Sequence, residues 1–501
     1  MIVTDQQLLF YQRCPRRVFL DVFGDPDQKQ PPSDFLIKLK QDSADFQRSV
    51  LADHVYEKPA TNSLAETEEV AGVQTTLELM QTGVEQIAKG VLAVIADQLY
   101  PLQWLPNSTE ITVVSRPDLL VKQPGYSIFG NWSYVPLDIR LGKRPKLDYQ
   151  IVAAFHAEIL AVVQGVFPKT AQLILREKGL YNVNLNQRLP QMQEILMEQI
   201  QMLQQQQEPE VFIARQKCSL CQWHQSCHQA ASHQQHLSLL PGVTPNRYGR
   251  LQTLNLLTVE ALAQTTPAAL ETYPEFSDST AAQVIQQAQA TWQDRAIRLH
   301  SSVINGNSAA AISSSRWIGS APVELYFDIE AQPELNLDYL HGVLVVDHRT
   351  QTQVFHACLA ENPEDEANTW QAFLELVWRY PVAPIYHFCE YEFKTIQRLA
   401  RRYNTPSYLW QPLLRRLVDI HQKVVSSVTL PVESYALKPI AQWMGFRWHD
   451  PNANGAQCVY WYQQWLKTGD RTLLDTIVRY NEDDCRATYH VKQWLVDFFQ
   501  N

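Results

Sequence analysis

The 501-residue chain has no apolar run approaching the ~20 residues a membrane-spanning helix needs, and its opening Met-Ile-Val-Thr-Asp lacks a basic stretch followed by an apolar one. A soluble, cytoplasmic protein is expected. Positive charge is not in excess: the formal net charge is −10, which excludes a broadly basic surface but leaves room for a local basic groove. The eight cysteines lack the spacing of a secreted disulfide framework. Cys358, Cys389, Cys458 and Cys485 are scattered through strand-like and helix-like segments and read as packed thiols.

What is present fits a globular chain, with 45% hydrophobic and 19% charged residues. At roughly 150 residues per domain the length suggests about three domains. Residues 1–235 mix helical patterns with a strand-like stretch, Ile111 to Ile139, and close in a glutamine-rich helix, Gln191 to Gln207, followed by a cysteine cluster. Ile195, Leu196, Ile200 and Leu203 give that run helical spacing, so its glutamines read as a solvated face. Residues 236–300 read as short helices, and 301–320, rich in Ser, Ala and Asn, as a linker. The last block, 321–501, opens with strands expected at Val323–Ile329, Gly342–Asp347 and Gln353–Ala357. A helix from Glu364 to Tyr380, a strand Ala383–Phe388 and further helices come next, the order of a mixed α/β sheet flanked by helices.

The last block carries the clearest chemistry. In Val-Glu-Leu-Tyr-Phe-Asp-Ile-Glu, Asp328 and Glu330 share one face of a strand, and about 150 residues later Tyr480 and Asp484 share one face of a helix. Such acids can converge, and convergence is costly unless hard cations such as Mg²⁺ or Mn²⁺ neutralise it. Two-metal phosphodiester hydrolysis is the chemistry this suggests. Taken singly, each motif also reads as strand-end solvation or helix capping.

With the middle segment Tyr-His-Phe-Cys-Glu-Tyr-Glu, these motifs resemble the DEDD exonucleases of the ribonuclease H-like superfamily, nearest to the YprB-like branch. The resemblance implies that Asp328, Glu330, Glu392 and Asp484 hold the metal ions, that Tyr480 orients the attacking water, and that cleavage runs 3′→5′. Glu392 stands where most of the superfamily has aspartate, which moves its carboxylate by one methylene. Asp419 is read either as a supporting carboxylate or as a helix cap.

Cys218-x₂-Cys221-x₅-Cys227 lacks a fourth ligand for a tetrahedral ion, so a distant partner is needed, and Cys14 is available in Tyr-Gln-Arg-Cys-Pro. This arrangement resembles the iron–sulfur frame of RecB/AddB-type nucleases and implies a [4Fe–4S] cluster; zinc, with His224 or His228 as further ligands, is the alternative. Between the cysteines, Arg-Pro-Asp118-Leu-Leu and Val-Pro-Leu-Asp138-Ile-Arg140, followed by Tyr149-Gln150, resemble a PD-(D/E)XK nuclease domain. Arg140 stands where active members have lysine, and an arginine cannot serve as a base. Lys143 lies outside the motif, and the upstream helix reads Phe46-Gln47 where a ligating pair is common. An active, weakened or dead site all stay open, as does simple solvation of Asp118 and Asp138.

Leu-Pro-Gly242-Val243, followed by Tyr248-Gly249-Arg250-Leu251, resembles a helix–hairpin–helix unit, which would offer backbone N–H groups to a phosphate; a structural helix pair is the alternative. Together the three blocks resemble the RecB-like nuclease family of bacteria: a PD-(D/E)XK domain with an iron–sulfur frame, a hairpin module, and a ribonuclease H-like exonuclease. The resemblance implies nucleic acid as partner, DNA before RNA, and a role in DNA repair. The competing expectation is a binding adaptor that keeps both nuclease folds as scaffold. No Gly-x₄-Gly-Lys-Ser/Thr loop is encoded, so any helicase coupling must come from a partner.

Overall fold

The computed structural model describes residues 1–59, 65–277, 279–299 and 320–500, so the expected linker 301–320 lies outside the described residues except for Ser320. The chain forms two compact units, Met1–Val211 with Arg215–His228, and Phe212–Ala214 with Gln229–Asn501. No helix among the described residues is long and apolar enough to cross a membrane.

In the first unit, β1 (Ile2–Thr4) leads into α1 (Asp5–Arg13), α2 (Pro15–Phe23), α3 (Asp34–Ala52) and α4 (Ala65–Thr82). Seven strands come after them: β2 (Gln86–Ala88), β3 (Leu92–Ile95), β4 (Thr112–Ser115), β5 (Leu119–Ser127), β6 (Gly130–Arg140), β7 (Ala171–Leu175) and β8 (Gly179–Val183). The main sheet runs β2-β5-β6-β7-β8, and β1-β4-β3 form a small second sheet. β6 and β7 are parallel and are joined through α5 (Leu147–Gln164), the crossover a parallel pair requires. α5 is apolar on most sides, and Ile151, Phe155, Ile159 and Leu160 are buried in the core with Leu120 and Leu173. Gly165, at φ +68, closes it in the left-handed region that favours glycine. The glutamine-rich segment is α6 (Leu185–Gln205), capped by the Asn184 side chain. Its glutamines are not all solvated, since Gln199 is fully buried beside the stripe of Leu196, Ile200 and Leu203. The short α7 (Arg215–Cys218) and α8 (His224–His233) complete the cysteine segment.

The second unit begins with four helices, α9 (Pro245–Thr253), α10 (Val259–Ala263), α11 (Pro267–Glu271) and α12 (Thr280–Gln293), around a core of their own. They do not stand apart from the C-terminal part of the chain. Gln287 of α12 donates to Leu430 O at 2.7 Å and accepts from the Tyr435 hydroxyl at 3.0 Å. β9 (Ile297–Arg298) pairs with β15 (Val428–Thr429).

The C-terminal sheet has the order β12-β11-β10-β13-β14. β10 (Val323–Gln332), β11 (Leu337–Asp347) and β12 (Thr352–Leu359) form an antiparallel meander, and β13 (Ile385–His387) and β14 (Leu417–Asp419) add parallel strands beyond β10. The meander strands outrun their expected ends because polar residues such as Glu330, Asp338 and His341 are buried in them. On one face Leu325, Phe327 and Ile329 pack with α13 (Glu366–Trp378) and α14 (Tyr391–Arg402), and α15 (Ser407–Leu414) borders the same core. On the other, Tyr326 and Leu344 pack with α16 (Ile420–Ser427), α17 (Leu437–Trp443) and the long α19 (Arg471–Gln500). α18 (Gly455–Thr468) packs beside β10 and α19. The period of two therefore turns the even-numbered residues of β10 toward α19.

Candidate metal centre

The α19-facing side of β10 carries three acids, and the fold treats them in opposite ways. Glu324 is fully buried but meets Lys492 Nζ of α19 at 2.8 Å, accepts from the Tyr326 hydroxyl at 2.6 Å and lies 3.0 Å from His348 Nε2. Burial would raise its carboxyl, yet these partners hold it below the usual glutamate range. Asp328 and Glu330 have no such counter-charge: among the described residues neither they nor Asp484 forms an ion pair with Lys, Arg or His. Their ligand oxygens and one of Asp484 lie within 4.8 Å of one another.

Crowding of buried acids leaves its mark on their acidity. Burial first, then the charges of Asp484, Glu330 and Glu392, drives Asp328 well above its ordinary range. Burial and Asp484 do the same to Glu330. Burial raises Asp484 to about 7, although hydrogen bonds from Trp448 and Tyr480 and the charge of Lys438 oppose it. A buried group of this kind needs either protons or cations. Its donors are all oxygens, the set that suits Mg²⁺ or Mn²⁺.

Glu392 lies in the first turn of α14, buried, outside the trio but near enough for its charge to act on Asp328. Burial raises its carboxyl, while His387, with Nδ1 3.3 Å from Oε2, opposes the rise. Asp419 acts as a cap: its Oδ1 accepts from Gln422 N at 3.1 Å, and from Cys389 N at 3.2 Å in the turn leading to Glu392. Tyr480 is half-buried one helical turn before Asp484. Burial keeps its phenol protonated far beyond neutral pH, so it serves Asp484 as a hydrogen-bond donor.

Several residues that complete the centre had only faint sequence signals. Asn481 Nδ2 donates to Asp328 Oδ2 at 2.7 Å. Gly342, cross-strand from Asp328, makes room for it: a Cβ there would stand 1.7 Å from Asn481 Oδ1. Trp448 Nε1 donates to Asp484 Oδ1 at 2.7 Å. The neighbouring Asp483 accepts from His449 N at 2.8 Å and lies 2.7 Å from His449 Nδ1, fixing the loop that carries Trp448. Lys438 is tied to the Pro451 and Ala453 carbonyls, both at 2.7 Å. Asn481 lies inside the Tyr-Asn-Glu-Asp-Asp motif, which is the one signal that marked it.

In the first unit the acids have the opposite environment. Asp118 Oδ1 is held by Lys89 Nζ and by Gln47 Nε2 at 3.2 Å, and Oδ2 accepts from Ile139 N at 2.8 Å. Asp138, buried, pairs with Arg140 at 2.5 Å and with His156 Nε2 at 3.4 Å, while His156 Nδ1 meets Ser115 Oγ at 2.7 Å. Burial would raise the Asp138 carboxyl, yet Arg140 and His156 hold it well below its ordinary range. Lys89, Arg140 and His156 therefore supply the counter-charges of Asp118 and Asp138. Gln150 is not part of this group; it donates to Pro145 O at 2.7 Å and accepts from Arg188 Nε at 3.0 Å. Lys143 pairs with the exposed Glu177, and Phe46 packs in a small core with Leu119 and Ile139 while its neighbour Gln47 reaches Asp118.

Cys14 sits at the joint of α1 and α2, close enough to Cys221 and Cys227 for their charged forms to repel. Burial is the larger cause pushing both of those thiols up. Cys218 ends α7, three residues before Cys221. The segment is fastened to α2 and the loop after it by Gln30 N to Gln222 O at 2.9 Å and Trp223 Nε1 to Asp21 Oδ1 at 2.9 Å. In the turn before α9, Gly242 has φ +89, a conformation that favours glycine, and its carbonyl accepts from Arg247 Nη1 at 2.7 Å. Val243 is buried and donates its amide to Leu240 O at 3.2 Å, so the turn is closed on itself at that residue.

Residues 325–496, from β10 into α19, match the family described as the RNase H superfamily. The match covers less than half of the chain and supports a nuclease-type function, with nucleic acid as substrate, for that part. No curated protein matches the chain.

Proposed function

Starting from the RNase H superfamily character of the C-terminal domain, we propose that this protein is a metal-dependent exonuclease that shortens single-stranded or frayed DNA from the 3′ end. One observation carries the metal dependence: α19 sets Lys492 against Glu324 but, among the described residues, no cation against Asp328 and Glu330 on the same face, where it brings a further acid, Asp484. Asp328, Glu330, Glu392 and Asp484 would hold Mg²⁺ or Mn²⁺, which would supply Lewis-acid polarisation of the phosphoryl oxygens and a water that ionises near neutral pH. Asn481 orients Asp328, and Trp448 and Tyr480 orient Asp484 by donating to it. The Tyr480 phenol, protonated at working pH, also positions the attacking water. The 3′→5′ polarity and the preference for DNA rest on the resemblance to DEDD exonucleases.

The N-terminal unit is proposed as a RecB-like PD-(D/E)XK fold whose site is disarmed by Lys89, Arg140 and His156. It would serve to grip nucleic acid, with Cys14, Cys218, Cys221 and Cys227 holding a [4Fe–4S] cluster, in DNA repair alongside a helicase partner.

The test is Mn²⁺-dependent degradation of a 5′-labelled single strand by anaerobically purified protein, beside Asp328→Ala and Asp118→Ala. A ladder of shortening products that persists in Asp118→Ala and disappears in Asp328→Ala is expected. No product from wild type on DNA or RNA, with binding intact, would turn the reading to a binding adaptor.

A further inference from the structure

α14 leaves the metal centre with a pattern that coordinating ions does not explain. Glu392, Thr395, Ile396, Leu399 and Ala400 are its buried face. Lys394, Gln397, Arg398 and Arg401 keep the i, i+3, i+4, i+7 spacing of a single stripe on another side. With Arg402 and Asn336 they line a hollow of about 580 Å³ that contains no acidic lining residue.

The guanidiniums here are oriented from below. Arg398 reaches Asp338, and Arg402 Nη1 meets Glu366 Oε2 at 2.8 Å; both acids are buried, while the arginine side chains stay 37% and 38% exposed. A guanidinium has five N–H donors in a rigid fork, so a carboxylate beneath it fixes its direction without using up the donors on its outer edge. Such a fork matches phosphate bidentately. Lys394, whose solvent-exposed pair with Glu390 a phosphate would have to displace, and Arg401 are exposed on the same stripe.

At the end of α14 nearest the centre two aromatic rings reach solvent. Tyr391 is 46% and Phe393 37% exposed, and they flank the buried Glu392. Tyr391 is held in place by donating to Asp338 Oδ1 at 2.9 Å. At 1.5 Å per residue, Glu392 to Arg401 is about 14 Å along the helix, room for more than one nucleotide beyond the scissile bond. Aromatic faces for bases next to cations for phosphates are the pairing that sequence-independent single-strand binding uses.

We propose that this stripe is the track for the uncleaved part of a single-stranded nucleic acid whose scissile phosphodiester lies at Asp328, Glu330 and Asp484. Phosphates lie along Lys394, Arg398, Arg401 and Arg402, and bases stack on Tyr391 and Phe393. This rests on the nuclease reading of the centre, but it concerns affinity, and binding tests it without turnover.

The experiment is a salt titration of binding to fluorescein-labelled oligothymidylates of 2, 8 and 16 nucleotides, in the full chain carrying Asp328→Asn to prevent cleavage. Lys394→Gln and Arg401→Gln are added singly and together, with Arg401→Lys to restore the charge. Each lost phosphate contact lowers the slope of log K against log salt by about 0.7 on a single strand. The expected result is a slope about 1.4 lower in the double variant for the longer strands, restored by about half in Lys394→Gln/Arg401→Lys, with little change for the dinucleotide. Equal affinities and slopes in wild type and variants would overturn the track, as would a loss as large for the dinucleotide as for the longer strands. Stripe-dependent binding without any cleavage by wild type would instead remove the nuclease reading and leave the track standing.

Discussion

At the scale of the residue, the acids divide by what stands opposite them. Asp484, raised by burial to about 7, and Asp328 and Glu330, which burial and their neighbours' charges push well above the ordinary carboxylate range, hold protons in the folded metal-free protein that the unfolded chain gives up near pH 4. The native state binds more protons than the unfolded one between those limits, so metal-free stability falls as pH rises from about 4 to 7. Metal binding must displace the same protons. Mn²⁺ titration calorimetry near pH 6, in two buffers of different ionisation enthalpy, should show net proton release, and Asp484→Asn should release fewer. Equal heats in both buffers would contradict the raised acids. Asp328, Glu330 and Asp484 were legible in the sequence because strand and helix periods alone put them on their faces. Trp448 was not, since nothing in an isolated indole says that its N–H will meet a carboxylate 36 residues on. Lys89 and His156 were missed likewise, because they reach Asp118 and Asp138 from elements whose positions only the folded sheet sets.

At the scale of the element, the centre depends on how closely α19 lies on β10 and β11. Asn481 sits in the space above Gly342, and a methyl there would meet its side-chain oxygen at 1.7 Å. Gly342→Ala should cost about 1–3 kcal/mol as an overpacked core site and should release Asp328 from Asn481. Urea unfolding would read the first effect and Mn²⁺ affinity the second. If Gly342→Ala/Asn481→Ala regains stability without regaining affinity, the glycine acts through the asparagine. Unchanged stability and affinity in the single variant would count against close packing here. The strand pattern over 323–329 and 342–347 was readable from β-branched and aromatic residues, but its extension to Gln332 and back to Leu337 was not. Those ends are held by tertiary contacts such as Asp338 N to Glu366 Oε1 at 2.8 Å and Gln332 Nε2 to Val459 O at 3.3 Å.

At the scale of the whole molecule, the helices α9 to α12 belong with the C-terminal sheet because Gln287 and Tyr435 meet at Leu430. Composition could not show that, since it marks linkers and not docking, and the boundary read near residue 235 falls after the one that contacts draw between Val211 and Gln229. The N-terminal unit is closed by chain segments nearly 200 residues apart, as Gln222 Nε2 to Gln30 O at 2.7 Å and Trp223 to Asp21 show. Cys14→Ser should lose iron, seen by elemental analysis and visible absorption after anaerobic purification, and lower the melting temperature of that unit, yet leave the Asp328-dependent ladder intact. Zinc in place of iron, or no metal in wild type, would refute the cluster.

The hydrogen bond between Asn481 and Asp328 joins residues 153 positions apart, which has a meaning for the order of events during synthesis. A nascent chain that has released β10 from the ribosome carries Asp328 and Glu330 as two ordinary acids, with Asn481 and Asp484 not yet made. The cutting capacity proposed for this protein therefore does not exist while most of the domain is being translated. It arises once α19 has emerged and folded.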